Sequence, residues 1–168
     1  MANRKSYTME DNMEVAKRGS SDIEKWLNNL NQTQKVINVE DDPKYQNIDV
    51  DLIWETEIDT YQIEIKADRQ HETGNFFFET ISNKSKGTPG CFMYSEADLF
   101  FYYFVEIKRL YILPLIETRN WFEENINNFY ESETTTPCGN GNYYITVGRL
   151  VPIEDVLNNI DDINIYDL

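Results

Sequence analysis

Asp49 and Asp51, followed by Glu64 and Lys66, are the residues whose types and spacing could do chemistry. Two or three carboxylates offer the hard oxygen ligands that Mg²⁺ or Mn²⁺ takes. An ammonium beside them puts a cation next to an attacked phosphate. Both groups lie in alternating runs: in residues 48–54 the even positions are apolar, and in residues 61–67 the odd positions are apolar or aromatic. Strand side chains alternate between faces, so Glu64 and Lys66 share one face and Asp49 and Asp51 share one on their own strand. Residues 55–60 suit a hairpin loop that brings the two strands side by side.

Other elements must hold those strands in place. Ile23, Trp26, Leu27 and Leu30 form a helical stripe within residues 10–31. Ser21 and Glu24 match a capping box, so the helix could start at Ser21, with Gly19 interrupting anything earlier. A strand is expected at 35–39, a turn at Asp41-Asp42-Pro43, and a third apolar run at 75–81. Residues 82–93 read as a loop, and Ser95 as a helix cap. Residues 99–105 and 110–113 read as buried strands joined near Ile107 and Lys108. The remaining expectations are a helix over 115–129, a polar loop at 134–142, a strand at 143–147 and a helix at 153–159. The layout is α/β with a mixed sheet, with a flexible start at 1–9 and one domain over 10–168.

An aspartate on one strand and Glu-x-Lys on the next resembles the signature of the PD-(D/E)XK nuclease superfamily. Glu64-Ile65-Lys66 matches the second half, and Asp51, or Asp49 in its place, the first; no proline precedes either aspartate. The flanks Tyr45-Gln46-Asn47-Ile48 and Thr73-Gly74-Asn75-Phe76-Phe77-Phe78-Glu79 are similar to small phage or prophage proteins of that superfamily. The resemblance covers residues 10–115. It implies a restriction-endonuclease-like fold, a mixed central sheet flanked by helices. It also implies Mg²⁺ or Mn²⁺ held by Asp51, Glu64 and the backbone carbonyl of Ile65, with Lys66 orienting the attacking water. An acid from the first helix, Glu14, Asp22 or Glu24, would complete the site. The implied partner is DNA, branched or single-stranded DNA included, cut to 5′-phosphate and 3′-hydroxyl ends by a monomer or a homodimer.

Charge argues the other way. The chain of 168 residues carries a net charge of −15, whereas a protein that grips phosphates needs a basic footprint. Lys66, Arg69, Lys84 and Lys86 could form a local patch, with Arg4, Lys5, Lys17, Arg18 and Lys25 adding a basic N-terminal region. The rival reading is an inactive nuclease-like fold acting as an acidic, protein-binding or DNA-mimicking module, and a third is a phage assembly accessory. Cys91 and Cys138 with the single histidine, His71, cannot build a Cys/His zinc site. His71 itself reads as an exposed loop residue. No apolar run reaches the roughly 18–20 residues of a membrane span, so the expected location is the cytosol, that of a bacterial host for a phage protein.

Overall fold

The computed structural model describes residues 7–168. Helix α1 (Met9–Asn28) starts earlier than the capping box at Ser21 suggests. Thr8 accepts from the Asp11 N–H while Asp11 accepts from the Thr8 N–H, so the true box sits thirteen residues upstream. The helix runs unbroken through Gly19, which has a packing reason to be there. A Cβ at that position would lie 2.8 Å from the Ala67 Cβ. Of the expected flexible start, residues 1–6, with Arg4 and Lys5, lie outside the described residues; Thr8 and Met9 belong to α1 and its cap.

After α1 come β1 (Thr33–Asn38), a short helix α2 (Pro43–Gln46), β2 (Leu52–Thr56) and β3 (Thr60–Asp68). Then follow β4 (Asn75–Asn83), β5 (Thr88–Pro89), the four-residue helix α3 (Cys91–Tyr94), β6 (Leu99–Phe104) and β7 (Arg109–Pro114). The chain ends with α4 (Leu115–Asn125), β8 (Tyr130–Gly139), β9 (Asn142–Pro152), α5 (Ile153–Asn159) and β10 (Asn164–Asp167). The fold is mixed α/β, with five α-helices among the described residues. A six-stranded mixed sheet runs in the order β1-β2-β3-β6-β7-β10, and only the β3/β6 pair is parallel. A four-stranded antiparallel sheet, β5-β4-β9-β8, stands beside it.

Both faces of the larger sheet are covered, which explains the uninterrupted apolar sequence of β6. Phe101, Tyr103 and Val105, with Ile63 of β3, pack against Ile23 and Leu27 of α1. Phe100, Tyr102 and Phe104 face the other way, onto Phe76 and Phe78 of β4, Phe92 of α3 and Phe122 of α4. Phe78 and Phe92 stack with centroids 4.0 Å apart, and the rings of Phe100 and Phe122 meet Phe92 edge-on at 5.4 and 5.3 Å. These tilted and edge contacts suit the ring quadrupoles. Tyr102 then ties the two sheets: its hydroxyl donates to Asp68 of β3 and accepts from the Phe77 N–H of β4 at 2.9 Å.

Several expectations are corrected. The apolar run 75–81 is β4, which leaves the central sheet because Phe76 and Phe78 pack on its face rather than along its edge. The stretch 134–142 is not a loop. It pairs as β8 with β9, Thr136 meeting Thr146 at 2.9 Å, and turns through Gly139, Asn140 and Gly141, all at positive φ. Ser95 does not start a helix; it caps the end of α3, which begins inside the expected loop 82–93. The helix expected over 115–129 ends at Asn125 and tightens into a 3₁₀ turn, leaving Phe129 extended against Trp121. Among the described residues no helix is long and apolar enough to cross a membrane.

Candidate metal centre

Glu64 and Lys66 sit on β3, hydrogen-bonded on one side to β2 and on the other to β6. The period-2 alternation sends Ile63, Ile65 and Ala67 towards α1 and Glu64, Lys66 and Asp68 to the opposite face. Asp51 lies immediately before β2, where its N–H donates to the Ile63 carbonyl at 2.8 Å and its Oδ2 accepts from the Ile65 N–H at 2.8 Å. The backbone polar groups of Ile63 and Ile65 thus point to the same side. The Ile65 carbonyl is therefore directed past the start of β2, towards Asp51.

Asp49 is not on a strand. Its φ is 54°, a left-handed conformation that aspartate tolerates better than most residues. The expected common strand face for Asp49 and Asp51 does not exist, yet the turn still carries Asp49 to the site. The Ser95 hydroxyl donates to the Asp49 carbonyl at 2.7 Å, and the Glu96 N–H to the Ile48 carbonyl at 2.9 Å. These ties lock the turn to α3. Arg119 of α4 in turn donates to the carbonyls of Phe92 and Ser95, each at 2.7 Å.

The result is a crowded acidic cluster. One donor atom each from Asp49, Glu64 and Cys91 lie within 4.8 Å of one another. Glu64 is only 6% exposed, and neither its Oε2 nor the Asp49 Oδ2 has a hydrogen-bond partner among the described residues. Burial, then the Asp51 and Asp49 charges, push the Glu64 carboxyl well above the usual carboxylate range. Burial likewise raises Asp51 to about 6, against the Ile65 N–H and with Glu40 and Asp49 adding repulsion. Asp49 is raised by burial too, with the neighbouring Tyr94 hydroxyl opposing the shift. Three carboxyls here each resist ionisation and two carry oxygens without a donor, but among the described residues the group whose ligand atoms lie close enough to meet on one ion is Asp49, Glu64 and Cys91, and the expected ligand Asp51 is not part of it.

Lys66 is half-buried, its Nζ 3.8 Å from Glu79 Oε2 and 5.8 Å from the centre of the Phe77 ring. Burial alone would pull its ammonium down, but the negative neighbours outweigh it and hold it above its ordinary value. Cys91 takes no part in that at neutral pH, because burial and Glu64 keep it as the thiol. The effect falls to the carboxylates, with Glu79 the one in ion-pair contact.

The first helix lies across the sheet from the Glu64 face. Asp22 accepts from the Tyr103 hydroxyl at 2.8 Å on the α1 side. Glu14 is exposed, and Glu24 accepts from the Asn38 side chain. The acid that does bear on Asp51 is Glu40, which follows β1 and is held by the Ser20 hydroxyl and Asn38. Neither Glu40 nor Cys91 stands out in the sequence, since each reaches the site through a turn. His71 is half-buried in a 3₁₀ turn rather than exposed, with its Nδ1 lacking a partner. Of the lysines and arginines expected to grip DNA, Lys84 pairs with Glu133, and Arg69 donates to the Asp11 carbonyl and covers the Tyr7 ring. No family model, curated protein or solved structure matches the chain.

Proposed function

We propose that this chain is a metal-dependent phosphodiesterase acting on DNA, an endonuclease or resolvase of phage or mobile-element type with a restriction-endonuclease-like fold. The observation that carries the reading is Glu64 Oε2. It is a buried carboxylate oxygen with no donor, flanked by two further carboxyls, and the next side chain on its strand face is a lysine. The order of α1, the antiparallel β1-β2-β3 and a strand parallel to β3 supports the fold assignment.

Asp51 and Glu64, with the Ile65 carbonyl directed to the same side, would hold Mg²⁺ or Mn²⁺. When bound, that ion supplies a Lewis acid for the phosphate and a water of lowered pKa. The protein's own part is positioning and charge. The Ile65 N–H fixes the orientation of Asp51. Lys66 stays protonated and offers a compact cation to a phosphate oxygen in exchange for Glu79. Hydrolysis adds water across a P–O bond, the hydroxyl going to phosphorus and the proton to the departing 3′ oxygen.

The test uses supercoiled plasmid, branched DNA and single-stranded DNA in Mg²⁺ or Mn²⁺, with wild type, Lys66→Ala and Asp51→Asn. Wild-type nicking that disappears in both variants is the expected result. A second reading, the acidic interaction module, is favoured by the −15 charge and by basic groups spent on ion pairs, Arg149 with Glu131 and Arg109 with Asp167 among them. Intact DNA in every lane, with no change of melting temperature on adding Mn²⁺, would decide for that module.

A further inference from the structure

We infer that Asp49, Glu64 and Cys91 form a second cation position with a preference for thiophilic divalent ions, adjoining the hard-ligand position at Asp51 and Glu64 and sharing Glu64 with it. This deepens the reading above and rests on it only for the shared carboxylate. Two donors on one ion can be at most about 4.5 Å apart, given bonds of about 2.3 Å to sulfur and 2.2 Å to oxygen. The three donor atoms here all lie within 4.8 Å of one another, so small side-chain adjustments suffice.

The cluster is built rather than incidental. Glu64, only 6% exposed, has its Oε2 without a partner among the described residues, as has the Oδ2 of Asp49, and both residues belong to the cluster. Asp49 and Cys91 come from segments far apart in sequence, and both are fixed by backbone ties. The Ser95 hydroxyl holds the Asp49 carbonyl at 2.7 Å, and Arg119 holds both ends of α3. Gly90 presses against β4, its N–H donating to the Thr80 carbonyl at 3.0 Å. A Cβ at Gly90 would lie 2.3 Å from the Glu79 carbonyl oxygen, so only glycine lets Cys91 approach so closely.

The ligand set decides which ions this position takes. Thiolate selects Zn²⁺, Cd²⁺ or Co²⁺ over Mg²⁺, which wants oxygen in a near-octahedral shell. Binding forms a metal–sulfur bond and releases the Cys91 proton to solvent. Three protein donors leave an open coordination position, the arrangement of a working site rather than a closed structural one. Two carboxylates, one thiolate and a divalent cation sum to −1, which the nearby Lys66 ammonium neutralises.

The experiment reads ion binding, so it is independent of cleavage. Chelator-treated full-length protein is titrated with Cd²⁺ and with Co²⁺ while the sulfur-to-metal charge-transfer absorption is followed. One equivalent of ion should raise the band in wild type and in Cys138→Ser. Cys91→Ser should abolish it and Asp49→Asn should weaken Cd²⁺ binding. The loss in Cys91→Ser should exceed the roughly 10–100-fold that removing a supporting group around a metal ligand costs. The Mg²⁺-dependent melting shift should survive in Cys91→Ser, which also shows that the variant is folded. A band that survives Cys91→Ser and vanishes in Cys138→Ser would move the ligand to the exposed cysteine and overturn the proposal. Absence of any band alongside intact Mg²⁺-dependent nicking would overturn it too and leave the phosphodiesterase standing. Loss of both would remove the two together.

Discussion

Asp51→Asn should make the metal-free protein more stable at alkaline pH, although it removes a hydrogen-bonded carboxylate. A carboxyl held at about 6 instead of its ordinary 3.8 costs about 3 kcal/mol once ionised. Asparagine can still accept from the Ile65 N–H, as the protonated carboxyl does, and that bond is already contained in the shift. The gain is therefore about 3 kcal/mol, or about 6–12 °C in Tm for a chain of this size. The sign follows from the direction of the shift. The Asp51 contribution to stability is fully present below pH 3.8 and is lost as pH rises through 6. Wild type and variant should therefore melt together near pH 3 and separate between about pH 4 and 6, the variant ahead by the full amount at pH 8. Thermal melts by circular dichroism in a chelating buffer across that range provide the measurement. Mn²⁺ at about one hundred times its Kd should then add about 2.7 kcal/mol to wild type and little to the variant. A variant that melts at or below wild type at pH 8 without metal would refute the argument that burial and mutual repulsion strain this carboxylate.

Two further perturbations test the packing that positions the site. Phe92→Ala removes a ring that is fully buried against Phe78, Phe100 and Phe122, and should cost about 3–5 kcal/mol in urea unfolding. A cost under about 1 kcal/mol would mean α3 is not anchored there. Gly19→Val introduces a branched side chain where even a Cβ falls 2.8 Å from Ala67. It should destabilise by about 1–3 kcal/mol despite the better helix propensity of valine, and an unchanged urea midpoint would show that α1 rides farther from β3.

Period-2 alternation makes the Glu64/Lys66 face legible in the sequence, and the helical stripe at Ile23 and Leu27 does the same for α1. Both depend on local spacing alone. Asp49 reads as part of a strand but sits in a turn, because a left-handed aspartate leaves no mark in an alternating run of seven residues. The capping box at Ser21 misled for a related reason: four residues of the right types exist there, but α1 gains more by continuing past Gly19 onto Ala67. The threonine-rich stretch before Gly139 read as a polar loop because its partner strand, not its hydropathy, makes it extended. Cys91 and Glu40 enter through contacts between distant segments, which no spacing rule encodes. The ring cluster around Phe92 brings the first of them in, and the Ser20 hydroxyl holds the second.

The placement of β3 has a mechanical consequence. Being flanked by ladders on both sides, with α1 beneath it and aromatic rings above, it can shift only if the whole domain opens. Its amides should exchange with deuterium as slowly as global unfolding allows, so Glu64 is a fixed anvil. Whatever adaptation an incoming ion or strand demands must come from the opposite jaw, the left-handed corner at Asp49 and the single turn bearing Cys91 and Tyr94.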